Sequence, residues 1–316
     1  MRPRDESLAR SRLYSLLATL FLKGLTSETL PLVRDLPVLS DELPPEIDLE
    51  QAAADHFDLF QMEVPPYASV FLEPEVRLGG EVASTVARMY EVGGFRDEAP
   101  DASDHVAAEL KHLSNLCAVD AWDSQGRFLL DHATWWLPAF TYSVRRGWYP
   151  FYHTLADVTL ELVRDHAASF AGESHYGLPE PPEVLERTST SLKTIAEYLT
   201  TPVFSGLYLS RSEIAALARR GRIPRGFGSR SQTLANLLRS ASEYDSLPDV
   251  LVALNDLVSE WEAFYRDDMT AASREWRKRL GRTKEMLKEM DAATHQSSHS
   301  TPTSEPFATS SSSSAM

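Results

Sequence analysis

Cysteine is almost missing from this chain. Cys117 is the single one in 316 residues, which excludes an internal disulfide framework and any metal site built from two or more thiolates. A reducing compartment is the natural setting for such a composition. Long apolar runs are missing too: no stretch approaches the roughly 20 residues that a membrane-spanning helix requires. Alternating strand patterns are scarce, and YASVFL at residues 67–72 is the only ambiguous run. Lysine is absent between residues 41 and 110, where 17 Asp and Glu face three Arg, so nearly the whole net charge of −15 lies there.

What is present is ordinary for a globular protein, 43% hydrophobic and 24% charged residues,. Arg2, Arg4, Arg10 and Arg12 ahead of an apolar stretch superficially resemble a secretory leader,. Asp5 and Glu6 sit among those arginines, however, and no small-residue cleavage site follows. Leu13, Leu16, Leu17, Leu20 and Phe21 repeat at helical spacing instead,. The expectation is a cytoplasmic protein with no stable membrane insertion.

The acidic segment predicts a face that attracts cationic partners and repels nucleic acid. Basic residues gather later. Seven Arg stand against Glu213 in residues 211–239, and seven basic residues stand against Glu275 and Glu285 in residues 274–288.

The periodicity is helical almost everywhere. Val106, Leu110, Leu113 and Cys117 mark one stripe over residues 104–119, and residues 128–144 form another helix with Pro138 as a kink or break,. Pro150 suits the first turn of a third helix, running to about residue 170. GESHYGLPEPPE at residues 172–183 reads as a long loop or linker,. Ser210 with Glu213 spells a capping box, Gly221 stops that helix, and Pro248 fits the first turn of another that runs to about residue 267,. From residue 291 onward Ser, Thr and His dominate, predicting a disordered tail to residue 316,. The predicted organisation is all-α: a helical unit over residues 1–175, a helical extension over 184–290, and the tail.

Asp104, His105, Glu109 and His112 form the most provocative cluster. On a helix, His105, Glu109 and His112 fall within about 60° of one another, beside the apolar stripe rather than on it. Glu109 and His112 spell E-x-x-H, but a di-iron bundle needs two such motifs and two further glutamates, and no second E-x-x-H occurs. The duller alternative makes Asp104 a helix cap and the histidines half-buried boundary residues; a peptide-contacting face is the third. GFGSR at residues 226–230 lacks the Lys-Ser/Thr ending and preceding strand of a phosphate loop. The Arg-rich pair of helices in residues 209–240 leaves a helix-turn-helix regulator as the alternative function. Trp135, Trp136, Trp148, Phe151 and Tyr152 read as core aromatics. No nucleophile elbow or other catalytic constellation emerges, so the chain does not read as an enzyme.

Three stretches in order resemble the TorD/DmsD family of redox-enzyme maturation chaperones, relatives of the NarJ group. They are PYASVFLEPEVRLGGEVASTVARMYEVGGF (residues 66–95), PDASDHVAAEL (100–110) and FLLDHATWWLPAFTYSVRRGWYPFYHTLA (128–156). The family holds Pro close before Asp-His, whereas Ala102 and Ser103 here separate Pro100-Asp101 from Asp104-His105. The resemblance implies an all-α fold with no cofactor and no metal of its own. It implies, as partner, the precursor of a molybdopterin oxidoreductase catalytic subunit, bound through its twin-arginine signal peptide. The long linker leaves a monomer or a domain-swapped dimer as the expected state. The residues it implies for the signal-peptide site are Tyr67, Glu73, Tyr90, Pro100, Asp101, Asp104, His105, Glu109, His112 and Trp136.

Overall fold

The computed structural model describes residues 4–75, 79–95, 102–184, 191–224, 226–266 and 270–298, and over these the chain is helical, with no strand among them. In order the helices are α1 (Arg4–Lys23), α2 (Leu30–Arg34), α3 (Pro37–Ser40), α4 (Leu49–Phe57), α5 (Ala68–Leu72), α6 (Gly80–Val92), α7 (Val106–Ala118) and α8 (Trp122–Phe128). They continue as α9 (Thr134–Arg145), α10 (Pro150–Ala167), α11 (Leu192–Leu199), α12 (Pro202–Ser205), α13 (Arg211–Arg220), α14 (Arg230–Glu243), α15 (Leu247–Arg266) and α16 (Ala271–Ser298). π-helical turns extend α4 through Asp58–Glu63 and join α8 to α9 through Leu129–Ala133.

Local chemistry sets many of these boundaries. The Ser210 hydroxyl accepts from the Glu213 N–H while the Glu213 carboxylate accepts from the Ser210 N–H, closing two orphan donors of α13, and Gly221 ends that helix,. Ser229 and Gln232 make the same reciprocal cap on α14. Pro150 opens α10 at a position whose N–H would have no partner anyway,.

Three points of the sequence reading are decided by the structure. Pro138 is buried and leaves α9 continuous, with the π-helical turn lying just upstream. Residues 68–72 form a short helix, and only Tyr67 pairs strand-like, with His105. The last helix runs on to Ser298, past the onset of the polar tail at residue 291; residues 299–316 lie outside the described residues.

Packing joins the helices around one contiguous set of buried apolar side chains, from Tyr14 in α1 to Met290 in α16. α1 lies along α7, α9 against α10, α11 against α14, and α15 against α16. The helices after the loop fold back onto the earlier ones through α12 on α5, α13 on the first π-helical turn, and α16 on α9. Tyr208 fixes this joint: its ring lies 5.3 Å from that of Phe71, and its hydroxyl donates to the Glu63 carbonyl at 2.6 Å. Arg146, at the end of α9, pairs with both Glu213 of α13 and Glu260 of α15.

Candidate functional site

The site predicted from sequence forms an elbow where the chain turns into α5 and α7. The Ala68 N–H donates to the Asp104 carbonyl and the Val106 N–H to the Pro66 carbonyl, both at 2.9 Å, so the segments leading into these helices lie antiparallel. The Tyr67 ring meets the His105 ring edge-on at 4.9 Å. Both side chains are half-buried, which leaves them partly open to a ligand.

Asp104 does not cap its own helix. His105 does that, with Nδ1 accepting from the Ala107 N–H at 3.1 Å. The Asp104 carboxylate instead reaches the first turn of α5, where Oδ2 accepts from the Ser69 N–H at 2.9 Å. Asp104 is fully buried, and its Oδ1 lacks a hydrogen-bond partner among the described residues. A buried oxygen left unpaired costs about 1–3 kcal/mol. Burial, with the nearby charge of His56 adding to it, lowers the His105 imidazole to about 4.

Glu109 and His112 lie inside the core rather than beside the apolar stripe. Glu109 Oε1 sits 2.7 Å from His132 Nε2, and its Oε2 accepts from the Trp136 indole N–H at 3.0 Å. Burial pushes the Glu109 carboxyl above its usual range, against the opposing pull of His132 and the two hydrogen bonds. His112 sits in a box of rings, 4.6 Å from Tyr90, 4.9 Å from Phe128 and 5.5 Å from Phe95. Burial lowers it to about 4. The two halves of the E-x-x-H therefore face different surroundings, and no group of three His, Cys, Asp or Glu among the described residues could hold a metal ion.

The remaining members support the elbow from behind. The Tyr90 hydroxyl donates to the Ser103 carbonyl at 2.6 Å, fixing the turn before Asp104. Glu73 Oε1 accepts from the Val82 N–H at 2.7 Å and so caps α6, while Gly80, at φ +82°, leaves room for that carboxylate. Trp136 is fully buried on Glu109. Pro100 and Asp101 lie outside the described residues. The fold thus brings Tyr67, Asp104 and His105 together, with Glu109, His112, Tyr90 and Trp136 buried beneath and Glu73 on a neighbouring helix end.

Two features escaped the sequence reading. Trp148, expected in the core, is 84% exposed, and Phe57 and Met62 are exposed as well. Phe57 precedes, and Met62 lies in, the π-helical turn that begins at Asp58, whose carboxylate accepts from the hydroxyl of Tyr149. The second feature is a cleft of about 780 Å³ between the α5 region and the helices after the loop. None of the predicted site residues lines it. Its walls come from residues more than 150 positions apart, such as Met62 and Arg230, so no local spacing could have marked it.

No helix among the described residues is long and apolar enough to cross a membrane. Residues 27–142 match the family described as nitrate reductase delta subunit. The chain is 27% identical over 202 residues to the protein named chaperone protein TorD from Shewanella piezotolerans, an alignment covering 52% of this chain and 94% of that relative. The name of that relative is a chaperone's and not an enzyme's. All-helical and matched in this way, the chain resembles chaperones of the TorD/NarJ type.

Proposed function

We propose that this protein is a cytoplasmic chaperone that binds the twin-arginine signal peptide of a molybdopterin oxidoreductase precursor and holds the apoenzyme until its cofactor is inserted. In this reading residues 1–175 are the chaperone unit and residues 184–290 an extension packed on it. The observation that carries the proposal is the match to a TorD chaperone along 94% of that relative's length.

The surface chemistry suits the task. A twin-arginine leader has a cationic start followed by a moderately apolar stretch. Exposed carboxylates at Glu42, Glu50, Asp58 and Glu81 offer the start a negative field, and the Tyr67–His105 elbow, with Asp104 held behind it, offers the apolar stretch an aromatic seat. Burying about 400 Å² of apolar surface yields roughly 10 kcal/mol gross, against an association cost of about 4–15 kcal/mol. Exposed arginine–carboxylate pairs add only about 0.2–1 kcal/mol each. Apolar burial therefore supplies most of the attraction, and charge steers and orients.

The test is calorimetric titration with a synthetic twin-arginine leader peptide. Tyr67→Ala with His105→Ala should weaken binding about tenfold or more while the helical circular dichroism stays unchanged. Equal affinity in that folded variant removes the elbow as the site, and absence of leader binding to the wild-type protein removes the function.

A further inference from the structure

The cleft between the α5 region and the later helices has no part in the leader site, yet it is built as a binding site. Its volume of about 780 Å³ lies within the range of natural ligand pockets. At one end stand Arg211 and Arg230, each oriented by a main-chain carbonyl: Arg211 Nη1 donates to Gly228 at 3.1 Å and Arg230 Nη1 to Leu209 at 2.9 Å. Arg230 also lies over the Tyr208 ring, 4.2 Å from its centroid. Among the described residues neither guanidinium has a carboxylate within ion-pair reach, whereas Arg146, Arg279 and Arg282 all do. Each keeps further N–H donors beyond the one its carbonyl takes.

The rest of the lining decides what kind of anion fits. Glu75, Glu183 and Glu197 also line the cleft, Glu197 within ion-pair reach of Lys193, so carboxylates share the lining with the two guanidiniums. That mixed lining disfavours a polyanion such as a nucleoside polyphosphate. It favours a ligand with one isolated negative charge and an otherwise neutral or positive body. Met62, Tyr198 and Phe204 supply apolar walls, and threonine and serine hydroxyls supply polar partners for a peptide backbone. We propose that the cleft is a second binding site, distinct from the leader site, which takes an extended polypeptide segment and seats one Asp or Glu carboxylate between Arg211 and Arg230.

The experiment uses the full chain and fluorescein-labelled, end-blocked octapeptide pools with Glu, Gln or Lys fixed at the centre, read by anisotropy. The Glu pool should bind about tenfold more tightly than the Gln pool, a difference of about 1.4 kcal/mol. Arg211→Gln with Arg230→Gln should erase that preference. Gln61→Trp, at an exposed lining position, should weaken the Glu pool with both arginines kept, which decides the matter even where the arginine variant fails to fold. Affinity for the twin-arginine leader should stay unchanged in both variants, which separates the two sites. Equal binding of the Glu and Gln pools, no binding of the Glu pool, or arginine-dependent binding of ATP or inorganic phosphate in its place would each overturn the proposal.

Discussion

Glu109 Oε1 and His132 Nε2 lie 2.7 Å apart with both side chains buried, and the Trp136 indole N–H donates to the other Glu109 oxygen. One acid from α7 thus ties together the π-helical turn and α9. Glu109→Ala strands a buried indole N–H and a buried imidazole, so a loss of about 3–5 kcal/mol is expected in urea unfolding. Glu109→Gln keeps an acceptor for one of the two and should cost less, about 1–3 kcal/mol.

Two histidines, one buried and one half-buried, shape the response to acid. His112 and His105 fall from 6.5 to about 4 in the folded chain, so between those values the unfolded chain binds more protons. Their stabilisation is complete above pH 6.5 and is lost as the pH falls through about 4. Glu109 works the other way: its raised carboxyl adds a cost that sets in as the pH rises above the ordinary carboxylate range. Unfolding free energies measured from pH 7 to pH 4 should fall, and His112→Phe should flatten that fall by up to about 3 kcal/mol. An unchanged slope would place the titrating group elsewhere.

Gly206 ends α12 at φ +83°, and a Cβ there would come within 2.8 Å of the Leu280 backbone nitrogen and 3.0 Å of the Trp276 carbonyl. Backbone atoms of a long helix cannot step aside. Gly206→Ala should therefore cost about 3 kcal/mol and speed hydrogen exchange in α12 and α16 ahead of the rest of the chain.

Asp104 joins the starts of α5 and α7 through a single buried carboxylate oxygen on the Ser69 N–H. Asp104→Ala removes that acceptor and should cost about 1–3 kcal/mol; Asp104→Asn, which keeps one, should cost less. Stopped-flow binding of a fluorescent leader peptide to the Asn variant separates this positioning role from direct contact, since a pure positioning role leaves the association rate near wild type.

Steering by the acidic surface has its own signature. Leader association should slow as salt rises from about 0.01 to 0.15 M, because the screening length shrinks from about 30 to about 8 Å. A flat salt dependence would leave the carboxylates of residues 41–91 without a role in capture.

The sequence by itself determined the all-α class and the ends of α10, α13 and α15, because Pro at a first turn, a Ser–Glu cap and a closing Gly act within four residues of where they stand. It also determined where the negative charge is concentrated and carried the family resemblance. Tertiary structure alone decided what covers each helix face. Spacing placed Glu109 and His112 at the edge of a stripe, but the π-helical turn, α9 and the rings of Tyr90 and Phe128 enclosed them. Asp104 found its donor on another helix, Trp148 was left uncovered, and the cleft arose only when the later helices closed over α5. Periodicity is a local property of the backbone; burial, pairing and cavities depend on which distant segment arrives, and that choice belongs to the packing of the whole chain.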